Sequence, residues 1–176
     1  MSIGDWKLTR VFPTEYLLSD LNHINKKGVV ILDFGSQYTQ LIARRVREHN
    51  VYSKIVAPGT TLNEILNQNP AAIILSGGPS SIYEKNAPDF DFSILNSELP
   101  ILGICYGLHL LAHYHGGKVS TEGKGEYGFA EVNILAQDSI FKDVQSSKVW
   151  MSHGDQITKV PIGWEVLANS SNGIIA

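Results

Sequence analysis

The chain of 176 residues contains a single cysteine, and its neighbours are of the types that support a reactive nucleophile. Cys105 follows the apolar run Ile101–Ile104 and lies between Gly103 and Gly107, each two positions away. This spacing is typical of a nucleophile on a tight turn between a strand and a helix, where the free N–H groups of the helix favour the thiolate. The same residues also fit a small buried cysteine without a catalytic role.

A glycine pair elsewhere in the chain could stabilise the charge that such a nucleophile creates. Gly77-Gly78 comes directly after the apolar segment 71–75. Backbone without a Cβ atom can approach a tetrahedral intermediate closely and aim N–H groups at its oxygen. The N–H groups of Gly78 and of Tyr106, the residue after the cysteine, would then form an oxyanion hole. An ordinary turn is the alternative interpretation of the two glycines.

A cysteine nucleophile also needs a base, and the chain contains six histidines. Three of them follow the cysteine on one predicted helix, namely His109, His113 and His115. A side chain there seldom points back at the nucleophile, so we interpret all three as surface or packing residues. His109 and His113 share a helix face, but no third ligand accompanies them and we predict no metal site. His153 follows a predicted strand and is a candidate base.

The elements that must position these residues show a regular alternation. From residue 29 to 115, short apolar runs alternate with helical spacing, which predicts an α/β fold with a doubly wound, mostly parallel sheet and helices on both faces. The predicted strands are 29–32, 51–57, 71–75 and 101–105, and the predicted helices are 37–49, 61–68, 90–96 and 106–115. Chemistry in open parallel sheets sits at the carboxyl ends of the strands, so the loops that follow them should meet.

The C-terminal third changes character after Gly117 and predicts a small antiparallel annex. Its predicted strands are 118–121, 131–135, 148–151 and 164–168, with a glycine-rich loop over 122–128 and a brief helical turn over 139–144. At the other end, residues 1–27 mix aromatic and polar side chains. We interpret them as an N-terminal extension that precedes the domain at 28–176.

Composition limits the partners and the compartment. The net charge is −3 and the isoelectric point is about 6.0, so neither nucleic acid nor an anionic membrane surface is favoured as a partner. One cysteine cannot form an internal disulfide, which indicates a reducing compartment. Acidic residues interrupt the N-terminus where a signal peptide would need an apolar run, so we predict a cytoplasmic protein.

Four sequence blocks resemble the glutaminase domains of GMP synthases, which are class I glutamine amidotransferases with a flavodoxin-like fold. The blocks stand in the family order and extend over residues 29 to 176; they are VILDFGSQYTQLIARRVRE at 30–48, IILSGGP at 73–79, GICYG at 103–107 and VWMSHGD at 149–155. Together they are specific, and the first and last favour GMP synthases over other amidotransferases.

The resemblance implies a ligase that takes ammonia from glutamine for purine nucleotide (GMP) biosynthesis. Cys105 would attack the glutamine amide, Gly78 and Tyr106 would donate to the oxyanion, and the glutamine pocket would be lined by Gly77, Gly78, His109, Ser152 and His153. No cofactor is implied for this domain. An ATP-binding synthetase domain, on the same chain or a partner subunit, would use ATP and Mg to convert XMP to GMP. The resemblance leaves pairing into a homodimer open.

Two departures from the family pattern qualify this interpretation. The family base is the histidine of a His-Pro-Glu motif that the 176 residues do not contain, so we expect a domain truncated at its C-terminus and inactive alone. His109 stands where the family usually has a glutamine that helps to hold the substrate. These departures keep an alternative open, a non-catalytic interaction domain that retains the fold.

Overall fold

The computed structural model describes residues 27–122, 125–137 and 139–176. These residues fall into two compact units. The first comprises the described parts of Asn25–Gly125 together with His153–Trp164, and the second comprises those of Glu126–Ser152 together with Glu165–Ala176. The interpretation of 1–27 as an extension falls on residues 1–26, which lie outside the described residues.

The first unit is built on a parallel sheet in which apolar strands alternate with helices. In chain order its elements are β1 (Val29–Leu32), α1 (Thr39–Glu48), β2 (Ser53–Val56), α2 (Leu62–Leu66), β3 (Ala72–Leu75), a 3-10 helix (Phe92–Asn96), β4 (Ile101–Gly103) and α3 (Tyr106–Tyr114). The four strands lie in the order β2-β1-β3-β4, and all neighbours are parallel. The chain order of strands and helices predicted from the alternation is confirmed.

Side chains on the two faces of this sheet enter two separate cores, because successive residues of a strand point to opposite faces. Helix α1 covers one face, and helices α2 and α3 cover the other. The first core contains Val29, Ile31, Ala43, Val46 and Ile74; the second contains Val30, Leu32, Ile65, Ile73, Leu75, Leu110 and Leu111. The predicted doubly wound sheet with helices on both faces is confirmed.

The remaining strands form two small antiparallel sheets, as the annex prediction required. β5 (Lys118–Ser120) pairs with β8 (Gln156–Lys159) in the first unit. The second unit holds a sheet in the order β7-β6-β9, made of β6 (Glu126–Ile134), β7 (Ser147–His153) and β9 (Ala168–Ser170). A 3-10 helix, Ser139–Phe141, precedes β7. None of the described helices is long and apolar enough to cross a membrane.

Two predictions in the annex are wrong and one strand was not predicted. The predicted loop 122–128 includes the first residues of β6, which begins at Glu126. The predicted strand 164–168 is not formed, and β9 lies later, over Ala168–Ser170. Its buried Ser170 donates to Oε1 of Glu126 at 2.7 Å. A polar pair of this kind holds the strand inside the sheet, and hydrophobic patterning cannot detect it. The polar strand β8 was not predicted.

Candidate active site

Cys105 joins β4 to α3 in a backbone conformation that residues other than glycine rarely adopt. Its φ is 49° and its ψ is −110°, and such strain costs about 1–3 kcal/mol unless the surroundings hold it. A Cβ atom on Gly103 would lie 2.6 Å from the nitrogen of Leu108, and one on Gly107 would collide with the carbonyl oxygen of Leu75. The predicted strand–turn–helix is present, and its two flanking glycines have a steric reason.

The thiol of Cys105 differs from the expectation of a thiolate stabilised by the helix. The residue reaches the surface, yet burial around its side chain raises the pKa of the thiol above its ordinary value. Loss of water disfavours the charged form, and this influence dominates at the sulfur. The resting nucleophile is therefore a thiol, and it needs a base to take its proton.

The loop after β3 runs directly against the nucleophile. β3 and β4 are hydrogen-bonded parallel neighbours, so their following loops meet at one edge of the sheet. A Cβ atom on Gly77 would lie 3.4 Å from the Cβ of Cys105. A Cβ atom on Gly78 would lie 2.5 Å from the carbonyl oxygen of Phe34, in the loop after β1. Because the two backbone segments lie this close, position 78 requires glycine. An ordinary turn residue with a side chain would not fit there.

Two backbone N–H groups beside the cysteine are available to a ligand. The N–H of Gly107 is already used, since it donates to the carbonyls of Ser76 at 3.1 Å and Ile104 at 3.0 Å. Within the described part of the chain, the N–H groups of Gly78 and Tyr106 donate to no backbone carbonyl. Their availability is compatible with the oxyanion hole predicted from the sequence.

A fully buried serine, Ser76, fixes the start of this glycine loop. Its hydroxyl oxygen accepts from the N–H of Phe34 at 3.0 Å and donates to the carbonyl of Gly77 at 2.9 Å. The serine thus ties the loops after β1 and β3 together. Sequence reasoning missed it, although a serine that ends an apolar strand and precedes two glycines is a usable signal.

His109 lies on α3 one turn after the nucleophile, and its N–H donates to the carbonyl of Cys105 at 3.0 Å. The side chain is buried, so of the two interpretations, surface or packing, the structure agrees with packing. Burial lowers the pKa of its imidazole; the carboxylate of Asp155 raises it and the imidazole of His153 lowers it further. The imidazole is therefore neutral at pH 7, and two residues of the β7–β8 turn act on it electrostatically.

That turn carries a carboxylate that the sequence interpretation did not single out. Oδ2 of Asp155 accepts from the hydroxyl of Ser81 at 2.7 Å. Nδ1 of His153 lies 2.9 Å from the carbonyl oxygen of Asp155 and donates to it. His109, His153, Asp155 and Ser81 consequently form one polar cluster around the helix that begins at the nucleophile.

The other candidate residues take different positions. Ser152 lies exposed on β7 in the second unit. His113 packs against the edge of Tyr83, with ring centroids 5.3 Å apart, and His115 packs against Trp164 at 5.9 Å. These two contacts agree with the interpretation of both histidines as surface or packing residues. Among the residues that the structure describes, no group of three or more potential ligands could hold a metal ion.

Comparison with known families identifies the family of the chain that carries this strained cysteine. A family model described as glutamine amidotransferase class-I matches residues 30–176. The chain belongs to this family. The predicted class I amidotransferase resemblance and the α/β fold are thus confirmed, whereas the roles of individual residues remain predictions.

Relatives of this amidotransferase are larger proteins. The chain is 51% identical over 156 residues to a protein named GMP synthase (glutamine-hydrolyzing) from Brachyspira hyodysenteriae, covering 88% of the chain and 30% of that relative. It is 50% identical over 145 residues to one of the same name from Campylobacter fetus, covering 82% of the chain and 28% of the relative. The chain thus spans less than a third of the length of these relatives.

A solved structure shares the fold over most of the chain. It is that of a protein from Thermoplasma acidophilum assigned as a GMP synthase subunit. The TM-score is 0.72 and the sequence identity is 26%, with 87% of this amidotransferase chain and 77% of the other covered.

Proposed function

We propose that this amidotransferase chain hydrolyses glutamine to glutamate and ammonia through Cys105, and that the ammonia serves GMP synthesis. The observation that carries the proposal is the strained cysteine between β4 and α3, faced by a glycine loop and by two available N–H groups. About 50% identity to proteins named GMP synthase supports the destination of the ammonia.

The chemistry follows from the groups around the cysteine. After deprotonation, the sulfur of Cys105 adds to the side-chain amide carbon of glutamine, and the carbonyl oxygen becomes an oxyanion to which Gly78 and Tyr106 donate. The carbon–nitrogen bond then breaks, and the nitrogen takes a proton and leaves as ammonia. Water adds to the remaining thioester, the carbon–sulfur bond breaks, and glutamate and the thiol are restored.

The pocket and the base complete the proposed site. Gly77, His109, Ser152 and His153 line the glutamine pocket, as the sequence resemblance implies. The base is the histidine of a His-Pro-Glu segment, which the 176 residues do not contain. Because burial raises the pKa of the Cys105 thiol, the chain without such a base is expected to turn glutamine over very slowly.

The partner of this domain is a synthetase domain, on the same chain or on another subunit. It adenylates XMP with ATP and Mg and transfers the ammonia to form GMP, in the cytoplasm. The amidotransferase domain itself uses no cofactor in this proposal, and pairing of two copies is compatible with it. Support comes from the names of the relatives and from their length, since the chain spans only about 30% of them.

A covalent label tests the proposal directly. Incubation of the full-length protein with the electrophilic glutamine analogue 6-diazo-5-oxonorleucine should modify Cys105, as mapped by peptide mass spectrometry. Excess glutamine should protect the thiol, and Cys105→Ala should abolish the adduct. A protein that is never labelled at Cys105, or is labelled equally with and without glutamine, would instead be the non-catalytic interaction domain. The replacement of the family glutamine by His109 is the observation that keeps this second function in view.

A further inference from the structure

Asp155 connects three segments that surround the nucleophile. It lies in the turn between β7 and β8, where its carboxylate accepts from the hydroxyl of Ser81 at 2.7 Å. Ser81 belongs to the loop that continues from Gly77-Gly78. The carboxylate also acts electrostatically on His109 of α3, the helix that begins directly after Cys105. The side chain of Asp155 therefore contacts the loop that follows Gly77-Gly78, and its charge acts on His109 in α3.

The glycine loop is held at a second point by Tyr83. The hydroxyl of Tyr83 donates to the carbonyl of Val119 in β5 at 3.0 Å, and its ring packs on His113. Residues 81–83 are thus attached to the β7–β8 turn through Asp155 and to β5 through Tyr83. Because the loop is anchored at both residues, loss of the Ser81 contact alone should loosen it without unfolding it.

The imidazole of His109 lies within electrostatic reach of titratable groups on the β7–β8 turn. From the β7–β8 turn these are the carboxylate of Asp155 and the imidazole of His153, and on its own helix the thiol of Cys105 precedes it by one turn. A neutral imidazole has one donor nitrogen and one acceptor nitrogen. A carboxylate nearby would attract the donor nitrogen and leave the acceptor nitrogen for another group.

We propose that Asp155 is a positioning residue of the glutaminase site: through Ser81 it fixes the glycine loop, and through its charge it orients His109 as a hydrogen-bond acceptor for glutamine. This inference rests on the proposed function, since it names how that site recognises its substrate. Glutamine offers N–H groups on its amide and its ammonium, and an acceptor nitrogen complements either. Protonation of His109 removes the acceptor, so glutamine recognition declines as the pH falls through the pKa of His109, which burial lowers.

The test compares recognition with bare thiol reactivity in the full chain. Labelling of Cys105 by 6-diazo-5-oxonorleucine depends on both, whereas labelling by iodoacetamide depends on the thiol alone, so the ratio of the two rates reports recognition. Asp155→Asn keeps an oxygen for Ser81 but removes the charge, and we expect the ratio to fall about tenfold. Asp89→Asn, at an exposed aspartate of the same unit, is the matched control and should leave the ratio unchanged.

Histidine titration by NMR supplies a readout that a merely structural role would not move. In Asp155→Asn the pKa of His109 should fall below that of the wild type, because the carboxylate that raises it is gone. In Ser81→Ala the pKa of His109 should stay unchanged while labelling by the glutamine analogue slows. On a His109→Gln background, Asp155→Asn should lower the ratio less than it does in the wild type.

Failure of this inference differs from failure of the proposed function. If the wild type reacts with the glutamine analogue and Asp155→Asn reacts with the same ratio, Asp155 does not position the site. An unchanged pKa of His109 in Asp155→Asn would likewise overturn the proposal. A wild type that the analogue never labels would overturn the glutaminase function itself, together with the inference that rests on it.

Discussion

The protonation of Cys105 decides how the isolated chain reacts with an electrophile. Burial raises the pKa of the thiol, and only the thiolate is a strong nucleophile. We expect alkylation of Cys105 by iodoacetamide to be slow at pH 7 and to accelerate through a midpoint above about 8.5, the value of a free cysteine. The rate of Cys105 modification, followed by mass spectrometry across pH, gives the midpoint. A midpoint below the free value would show that burial does not control this thiol.

Gly107 is the residue whose size most directly limits the turn at the nucleophile. A Cβ atom there would collide with the carbonyl oxygen of Leu75 and lie 2.6 Å from its Cβ. We expect Gly107→Ala to lower the free energy of unfolding by about 1–3 kcal/mol, as overpacking does, and to slow Cys105 labelling. Urea denaturation measures the first effect.

Gly59→Ala provides the comparison for this substitution. The nearest atom that its new Cβ would meet is the Cβ of Asp89 at 3.7 Å, an ordinary contact, so its stability should change much less. If both alanine variants lost the same free energy of unfolding, the steric explanation for glycine at position 107 would be wrong.

At the scale of residues, the sequence predicts those functional groups whose pattern lies in adjacent positions of the chain. The spacing of glycines around Cys105 and the pair at Gly77-Gly78 are local patterns, and the structure places them side by side. Asp155 was missed because the hydroxyl it binds, that of Ser81, lies 74 positions away in the chain. Only the fold creates such a contact, and no local spacing encodes it.

At the scale of elements, Asp91 caps two helices at once. Its Oδ1 accepts from the N–H of Ser93 at 3.0 Å and from the hydroxyl of Ser93 at 2.6 Å, at the start of the 3-10 helix. Its Oδ2 accepts from the N–H of Leu62 at 2.8 Å, at the start of α2. We expect Asp91→Ala to lower the free energy of unfolding by about 1 kcal/mol. Urea denaturation at pH 7 measures it, and Asp89→Ala, at an exposed site nearby, is the control.

The same cap predicts a dependence on pH. Hydrogen bonds from Ser93, and next from Leu62, hold the pKa of Asp91 below its ordinary value. A carboxyl whose folded pKa is lowered contributes stability above its unfolded pKa of about 3.9 and loses it as the pH falls through the folded pKa. The stability difference between the wild type and Asp91→Ala should therefore shrink below about pH 4. A difference that stayed constant down to pH 2 would contradict a role for the ionised carboxylate.

Strands made of continuous apolar residues are predicted from the sequence more accurately than polar strands. β1 and β3 are continuous apolar runs, and the structure forms them within one residue of the predicted bounds. Thr61 followed three residues later by Glu64 is a capping-box pattern in the sequence, and in the structure the two residues form its reciprocal hydrogen bonds at the start of α2. β9 fails the same reasoning, because its residues Asn169 and Ser170 are polar and Ser170 is buried through Glu126. Its burial depends on a partner in another strand, which a window of sequence does not include.

At the scale of the whole molecule, the proposed function separates two reactions that one substitution can distinguish. Ammonia formed at Cys105 is a diffusible product, so a synthetase domain should accept ammonia supplied from solution. In the full-length protein, Cys105→Ala should lower glutamine-dependent GMP formation by about a thousandfold or more, as loss of a nucleophile does in other enzymes. GMP formation from ammonium salts should persist, because the substitution removes a sulfur at the tip of an elbow and leaves the sheet intact. Nucleotide chromatography with each nitrogen source measures both rates.

The pattern of the two rates locates any failure. Gly59→Ala should retain both activities, since it lies outside the proposed site and meets only ordinary contacts. If Cys105→Ala kept its glutamine-dependent rate, the thioester route through this cysteine would be wrong. If the wild type used only ammonium salts, the strained turn at Cys105 would be present without glutaminase activity. The first substitution to test would then be at His109, which stands in place of the family glutamine. His109→Gln should then restore glutamine use, because an amide side chain offers both a donor and an acceptor at any pH.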